Sequence, residues 1–189
     1  MKKNKKKILI VDDDEATREI YLNAFKERNF EVLEARDGLE GLEIALKEIP
    51  DIVFTGIVMP RMDGWGLMRS LKEHTKTAKI PVVISSHLGR EEDRRNAEAL
   101  GAKDFIIRAL VRPSEVVDRI KVHLGERITY LLAIDEKLYD APKMIQDFYQ
   151  GTSFKCKKCG GHLILSLTSE SSKEGYFKVN FVCPKCSRI

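Results

Sequence analysis

The chain has 189 residues, 43% of them hydrophobic and 33% charged, with a formal net charge of +4. That balance excludes a disordered or fibrous chain and fits one ordinary domain plus a small second one. The longest early apolar run, Ile8–Val11, stops at Asp12-Asp13-Asp14. It is too short for a signal-peptide core or a membrane span, so we expect a cytoplasmic protein with no membrane partner.

Taken in order, residues 7–11 read as a first strand. Asp14 is placed to cap a helix to about Arg28, with Ile20, Tyr21, Ala24 and Phe25 on its buried face. Residues 31–35 read as a second strand. Asp37 and Glu40 have the spacing of a capping box. The helix they open is expected to bury Leu39, Leu42, Leu46 and Ile49 before Pro50 stops it. Ile52-Val53-Phe54-Thr55 is a short apolar run that reads as a buried strand, ending at Gly56 in a loop marked by Met59-Pro60 and Asp63-Gly64. A helix follows to about Glu73, carrying Leu67, Met68 and Leu71. Residues 79–85 read as a fourth strand. Glu91–Leu100 reads as a polar helix ended by Gly101, residues 104–107 as a fifth strand, and Ser114–Leu124 as a fifth helix burying Val116, Val117 and Ile120.

Five strands alternating with five helices predict an α/β fold: a doubly wound, flavodoxin-like parallel sheet of order 2-1-3-4-5, covered on both faces. In such a sheet the carboxyl ends of strands one, three, four and five surround one crevice. We divide the chain into residues 1–124, a helical linker over 125–150, and a small domain over 151–189. The linker reading rests on Leu124, Ile128, Leu131 and Leu138, which form a short stripe of coiled-coil type. A homodimer through the fifth helix and this linker would follow from it. A further short helix is expected over residues 143–149, and Gly151-Thr152-Ser153 reads as a hinge.

All four cysteines lie in the tail, as Cys156-Lys-Lys-Cys159 and Cys183-Pro-Lys-Cys186, with the 23 residues Gly160 to Val182 between the pairs. Two such knuckles supply four thiolates for a closed, structural tetrahedral zinc site. Between them, residues 163–168 and 176–182 alternate as a hairpin, so the tail resembles a zinc ribbon. His162 then reads as a turn residue. A redox-active Cys-x-x-Cys would need a thioredoxin-like context that is missing around either pair. About 40 residues bury little core, so zinc should supply most of their folding energy. Residues 151–189 carry seven basic and two acidic side chains, a net of +5, leaving −1 for the rest. That charge suits nucleic acid or another acidic partner, or solubility alone. Tyr176, Phe177 and Phe181 would either stack on bases or form the ribbon's core.

In the crevice, Asp12 and Asp13 follow strand one, Ser86 ends strand four and Arg108 ends strand five. A hydroxyl, a cation and two acids at one sheet edge suggest a phosphate and Mg²⁺ site. ILIVDDDE, TGIVMPRMDG, PVVISS and LGAKDFI resemble the receiver domain of two-component response regulators, and the resemblance covers residues 6–124. The resemblance implies an aspartate at the end of strand three that takes phosphate from a histidine kinase. It implies Mg²⁺ held by Asp12, Asp13 and the carbonyl of Val58, and a switch hydroxyl at Ser86. The phosphoacceptor position holds Gly56, the lysine position Arg108, and the proline after it is Ala109, with His87 where a small residue is usual. Glycine offers no nucleophile and no metal ligand, so Mg²⁺ should bind weakly or not at all. Without a proline, the Arg108–Ala109 bond is expected to be trans. Two readings stay open: a degenerate receiver that works through protein contacts, or a conventional Mg²⁺-dependent receiver in which Gly56 replaces an aspartate. In either case we expect a regulatory module rather than an enzyme. Its partners would be a histidine kinase or another signalling protein, with nucleic acid at the ribbon as a third reading.

Overall fold

The computed structural model describes residues 5–126, 129–133, 143, 146, 154–169 and 177–186. The chain divides into two compact units, Met1–Leu124 and Gly125–Ile189.

The first unit alternates β1 (Lys7–Val11), α1 (Glu15–Glu27), β2 (Glu31–Ala35), α2 (Gly38–Glu48), β3 (Ile52–Gly56), α3 (Gly64–Glu73), β4 (Val82–Ser86), α4 (Glu91–Ala99), β5 (Asp104–Ile107) and α5 (Pro113–His123). The five strands form one sheet of order β2-β1-β3-β4-β5, and every pairing is parallel. Period-2 alternation splits the core across the two faces. Leu9, Val11, Val53 and Ile84 pack with Leu67, Met68 and Leu71 of α3 and Ala97 of α4. Ile8, Ile10, Phe54 and Val83 pack with Tyr21 and Phe25 of α1 and Val116, Val117 and Ile120 of α5. This is the expected flavodoxin-like architecture.

The differences have local causes. Strand four begins at Val82 rather than residue 79, because Pro81 lacks the amide a ladder needs and Ile80 instead closes a turn by donating to the Thr77 carbonyl. Helix α2 buries its small residues, Gly41 and Ala45, while Leu39 and Ile49 are exposed and Leu42 and Leu46 half-buried. A Cβ on Gly41 would come within 3.0 Å of Val11, so the helix lies closer to the sheet than a leucine ridge permits. Asp37 caps α2 by accepting from the amides of Leu39 and Glu40, but Glu40 reaches the Arg36 amide instead of closing a capping box. In α1, Tyr21 and Phe25 are buried, whereas Ile20 is exposed.

Helix α5 is fastened to β5 through Asp104, whose carboxylate accepts from Arg119 Nε at 2.8 Å and lies 3.2 Å from His123 Nε2. Burial alone would raise the Asp104 carboxyl; His123 and Arg119 outweigh it and hold it below the usual carboxylate range. A depressed folded pKa stabilises the fold above the unfolded value and loses that stabilisation as pH falls through the folded one. Asp104→Asn is therefore expected to cost about 1–3 kcal/mol at neutral pH. The difference from the parent should close in acid, read by urea unfolding at both pH values.

The second unit holds a three-stranded antiparallel sheet of order β6-β7-β8, formed by Thr129–Ala133, Ile164–Ser169 and Phe177–Val182. The hairpin of β7 and β8 is as expected. Strand β6 is a correction, since Thr129–Ala133 falls within the expected helical linker. Thr129 and Tyr130 favour a strand, and the antiparallel register, Tyr130 opposite Leu167 and Leu132 opposite Leu165, overrides the helical preference of the leucines and Ala133. Leu131 thus belongs to a strand, which removes the coiled-coil stripe; its other members Ile128 and Leu138 lie outside the described residues. So do the expected hinge at 151–153 and nearly all of the expected helix at 143–149. Among the described residues of this unit, Phe154, Leu163, Ser166 and Cys183 are buried, and the Phe154 and Phe181 rings are 5.5 Å apart. Phe177 is exposed, so it is not core as expected; Tyr176 lies outside the described residues. Among the described residues, no helix is long and apolar enough to cross a membrane.

Candidate functional site

At the carboxyl edge of the sheet the topology brings together Asp12 after β1, Gly56 ending β3, Ser86 ending β4 and Arg108 after β5. Asp12 is buried and committed. Its Oδ2 is paired with Arg108 Nη1 at 2.9 Å, and its Oδ1 accepts from the Asp14 amide at 3.1 Å. Its carbonyl accepts from Arg18 Nη1 at 2.8 Å. Burial raises the Asp12 carboxyl above its usual range even though Arg108 pulls the other way. The arginine is there because a desolvated carboxylate needs a counter-charge.

Gly56 lies directly against this pair. A Cβ at that position would stand 3.2 Å from Asp12 Oδ2 and 3.6 Å from Arg108 Nη2. The carboxylate and the guanidinium therefore face the space that a side chain would enter. The turn after β3 is equally tight. A Cβ on Gly64 would fall 2.1 Å from the Gly56 carbonyl, and the Gly64 amide donates to Ile57 at 2.8 Å. Ser86 Oγ accepts from the Gly89 amide at 3.1 Å, which ties the hydroxyl to the loop after β4. Asp63 caps α3 by accepting from the Gly66 amide. The Arg108–Ala109 bond is trans, in a single turn of 3₁₀ helix at Arg108–Leu110 that the sequence did not indicate.

Two cavities flank Arg108. One, of about 230 Å³, is lined by Val58, Ser86, His87 and Arg90. The other, of about 300 Å³, lies between Thr17, Tyr21, His87 and Pro113. The set formed by Asp12, Asp13 and the Val58 carbonyl fits a divalent cation poorly. Both oxygens of Asp12 are engaged, and position 56 adds none, whereas Mg²⁺ demands near-octahedral oxygen ligation. The ion pair itself, and the clasp of Arg18 on the Asp12 carbonyl, are what sequence reasoning missed; two bases on different elements carry no spacing signal.

A second cluster lies in the second unit. The ligand atoms of Cys156, Cys159, Cys183 and Cys186 all lie within 4.8 Å of one another, and all four thiols are free. Cys159 and Cys183 sulfurs are 3.5 Å apart, Cys156 and Cys186 sulfurs 3.9 Å. A tetrahedron of Zn–S bonds of about 2.3 Å has edges of about 3.8 Å, so the donor set fits that metal. Each pair sits in a tight knuckle: Gly160 takes φ +68° and donates to the Cys156 carbonyl, and the Cys186 amide donates to Cys183. The amides of Lys158 and Cys159 face the Cys156 sulfur and lower its thiol to about 7. Crowding by the other sulfurs, Cys159 first, pushes Cys186 up to about 12. Cys156 and Cys186, so unlike in acidity, would become alike once a dication held both as thiolates. His162 lies outside the cluster, bridging to Lys155.

Residues 8–121 match the response regulator receiver domain. The chain belongs to that family. Over 121 residues it is 36% identical to the "Probable transcriptional regulator ycf27" of Cyanophora paradoxa, covering 64% of this chain and 49% of that protein. The chain thus spans about half the length of the curated relatives it matches. Among solved structures, it is similar to a CheY-like response regulator receiver domain protein from Methanospirillum hungatei, with a TM-score of 0.59 and 26% identity over 65% of this chain and 95% of that one. It is also similar to the CheX–CheY–BeF3–Mg²⁺ complex from Borrelia burgdorferi, with a TM-score of 0.59 and 28% identity over 64% and 90%.

Proposed function

We propose that this response-regulator-like signalling protein carries a degenerate receiver that acts through protein contacts without taking phosphate, coupled to a C-terminal zinc ribbon. The observation that carries the reading is the Asp12–Arg108 pair at 2.9 Å beside a glycine that has no nucleophile. An internal cation neutralises the buried acid, a task that Mg²⁺ performs in the family. Around the same edge, Val58, Leu88, Leu110 and Ile20 are exposed, the first of them 85%. Apolar side chains held out on α1 and on the segments after β3, β4 and β5 suit a protein partner such as a kinase or another signalling protein. In the second unit, the four cysteines support structural zinc.

Acetyl phosphate or beryllofluoride, each with Mg²⁺, tests the receiver reading. We expect an unchanged intact mass after acetyl phosphate. We expect no chemical-shift change at Ser86 or Arg108 with beryllofluoride. A covalent phosphoryl group, or saturable shifts at both positions, would instead support a working phospho-receiver.

A further inference from the structure

We propose that a cavity at the amino-terminal edge of the parallel sheet, opposite the Asp12–Arg108 crevice, binds a small organic phosphate: a phosphate dianion carried on a compact apolar body. The cavity, of about 300 Å³, lies between the end of α3, the turn into β4 and the starts of β4 and β5. That volume is at the lower end of the range for small-molecule sites. Lys72 on α3, Lys79 in the turn and Lys103 before β5 line it, and no acidic side chain does. Among the described residues, none of these three ammonium groups is ion-paired or hydrogen-bonded. Three like charges brought from three elements to one hollow repel one another, and an anion set between them turns that repulsion into attraction. Lys72 has a second task. A Cβ on Gly101 would stand 3.0 Å from its Nζ, so the ammonium lies over the carboxyl end of α4, where the helix dipole favours a cation. Lys79 and Lys103 belong to no helix.

The lining selects the ligand. A carboxylate is matched by the flat fork of arginine, and this chain pairs Asp12, Asp37 and Asp104 with arginines. Here the cations are all lysine, compact point charges of the kind that hold phosphate oxygens. Three of them exceed the needs of one carboxylate and suit a dianion. Between them the wall is apolar, formed by Met68, Leu71, Ile80, Pro81 and Val82, which offers a surface to an organic body and gives bare phosphate no use for it. The floor is set in advance. Thr77 is fully buried, its hydroxyl donates to the Leu71 carbonyl at 2.7 Å, and its carbonyl accepts from the Ile80 amide at 2.9 Å. The Lys103 amide donates to the Val82 carbonyl at 2.8 Å, which fixes the start of β5 beside that of β4. A hollow held in this way needs little ordering on binding. The site goes beyond the receiver reading and does not depend on it.

Titration of the full, zinc-loaded chain with AMP, ATP and inorganic phosphate at constant ionic strength, followed by amide chemical shifts, tests it. AMP and ATP are expected to give saturable shifts at Thr77, Ile80 and Lys103 and none at Ser86 or Arg108. Inorganic phosphate should bind about tenfold or more weakly than AMP. Lys79→Glu and Lys103→Glu, which leave the α4 end alone, should each weaken AMP about tenfold or more. Lys47→Glu, at an exposed lysine on α2 away from the cavity, should change it by less than about twofold. Far-UV dichroism checks folding, and where a reversal fails that check Lys79→Gln or Lys103→Gln decides. The absence of saturable shifts at the cavity with all three probes would overturn the proposal. So would AMP binding no more tightly than inorganic phosphate, or Lys47→Glu weakening AMP as much as the cavity variants do. Sedimentation with phosphatidylserine vesicles separates the sources of phosphate: vesicle binding that needs Lys79 and Lys103 while AMP fails to bind would assign the lysines to a membrane surface and sink the soluble ligand.

Discussion

Removing the zinc proposed for the four-cysteine cluster is expected to unfold the second unit while leaving the first intact. Among the described residues the buried centre of the second unit is small, and Cys183 is itself part of it. A sheet of three short strands around so few apolar side chains gains little from burial alone. Structural zinc contributes about 10–16 kcal/mol at neutral pH in modules of this kind, more than the rest of such a unit supplies. A chelator should therefore abolish dispersion of the amide signals of β7 and β8, with β1 to β5 unchanged. Cys183→Ser should do the same without chelator, because it removes both a ligand and a buried side chain. Cys159→Ser, at an exposed position, separates the two causes: it takes the ligand and leaves the core. If β7 and β8 stay paired in Cys159→Ser treated with chelator, packing and not metal holds the sheet. A module that begins at residue 151 should also fold poorly, because it lacks β6 and its pairing with β7.

How much of this was legible in the sequence differs from element to element. Asp12, Gly56, Ser86 and Arg108 could be assembled from sequence because each ends or directly follows a strand, and a parallel sheet of this order brings those ends to one edge. What strand patterns do not carry is where a long side chain turns. Arg108 would serve equally well pointing to solvent; that it closes on Asp12 follows from the desolvation of that acid, which exists only once β1 is buried. The linker was misread for a different reason. Over five residues, a stripe at helical spacing and a strand with both faces apolar give the same letters, and only pairing with β7 decides between them. In α2 the leucines drew attention, yet Gly41 and Ala45 make the contact, because close approach rewards small side chains that a hydrophobic pattern undervalues. Phe154, the most deeply buried aromatic among the described residues of the second unit, precedes the first knuckle and lies in no periodic run.

Restoring the acid alone should not restore a phosphate switch. In Gly56→Asp the new Cβ would stand 3.2 Å from Asp12 Oδ2, tighter than an ordinary contact, and 3.6 Å from Arg108 Nη2. A carboxylate built there meets a guanidinium already in place, with five donors arranged to bind carboxylates in pairs. Two acids sharing one fixed internal cation leave little reason for Mg²⁺ to shed its water and enter. The arginine must therefore be changed together with the glycine. In Gly56→Asp with Arg108→Lys the cation is a single compact ammonium on a flexible stem. It can leave Asp12 for an incoming phosphoryl group, and two carboxylates become available to the metal. We expect the double variant to bind beryllofluoride with Mg²⁺ at least about tenfold more tightly than Gly56→Asp, about 1.4 kcal/mol, with Arg108→Lys alone showing no binding. That non-additivity would identify Gly56 and Arg108 as one coupled adaptation rather than two separate losses. Should Gly56→Asp alone bind as tightly as the double variant, the guanidinium would be no obstacle. The chain would then be an ordinary receiver lacking a single carboxylate.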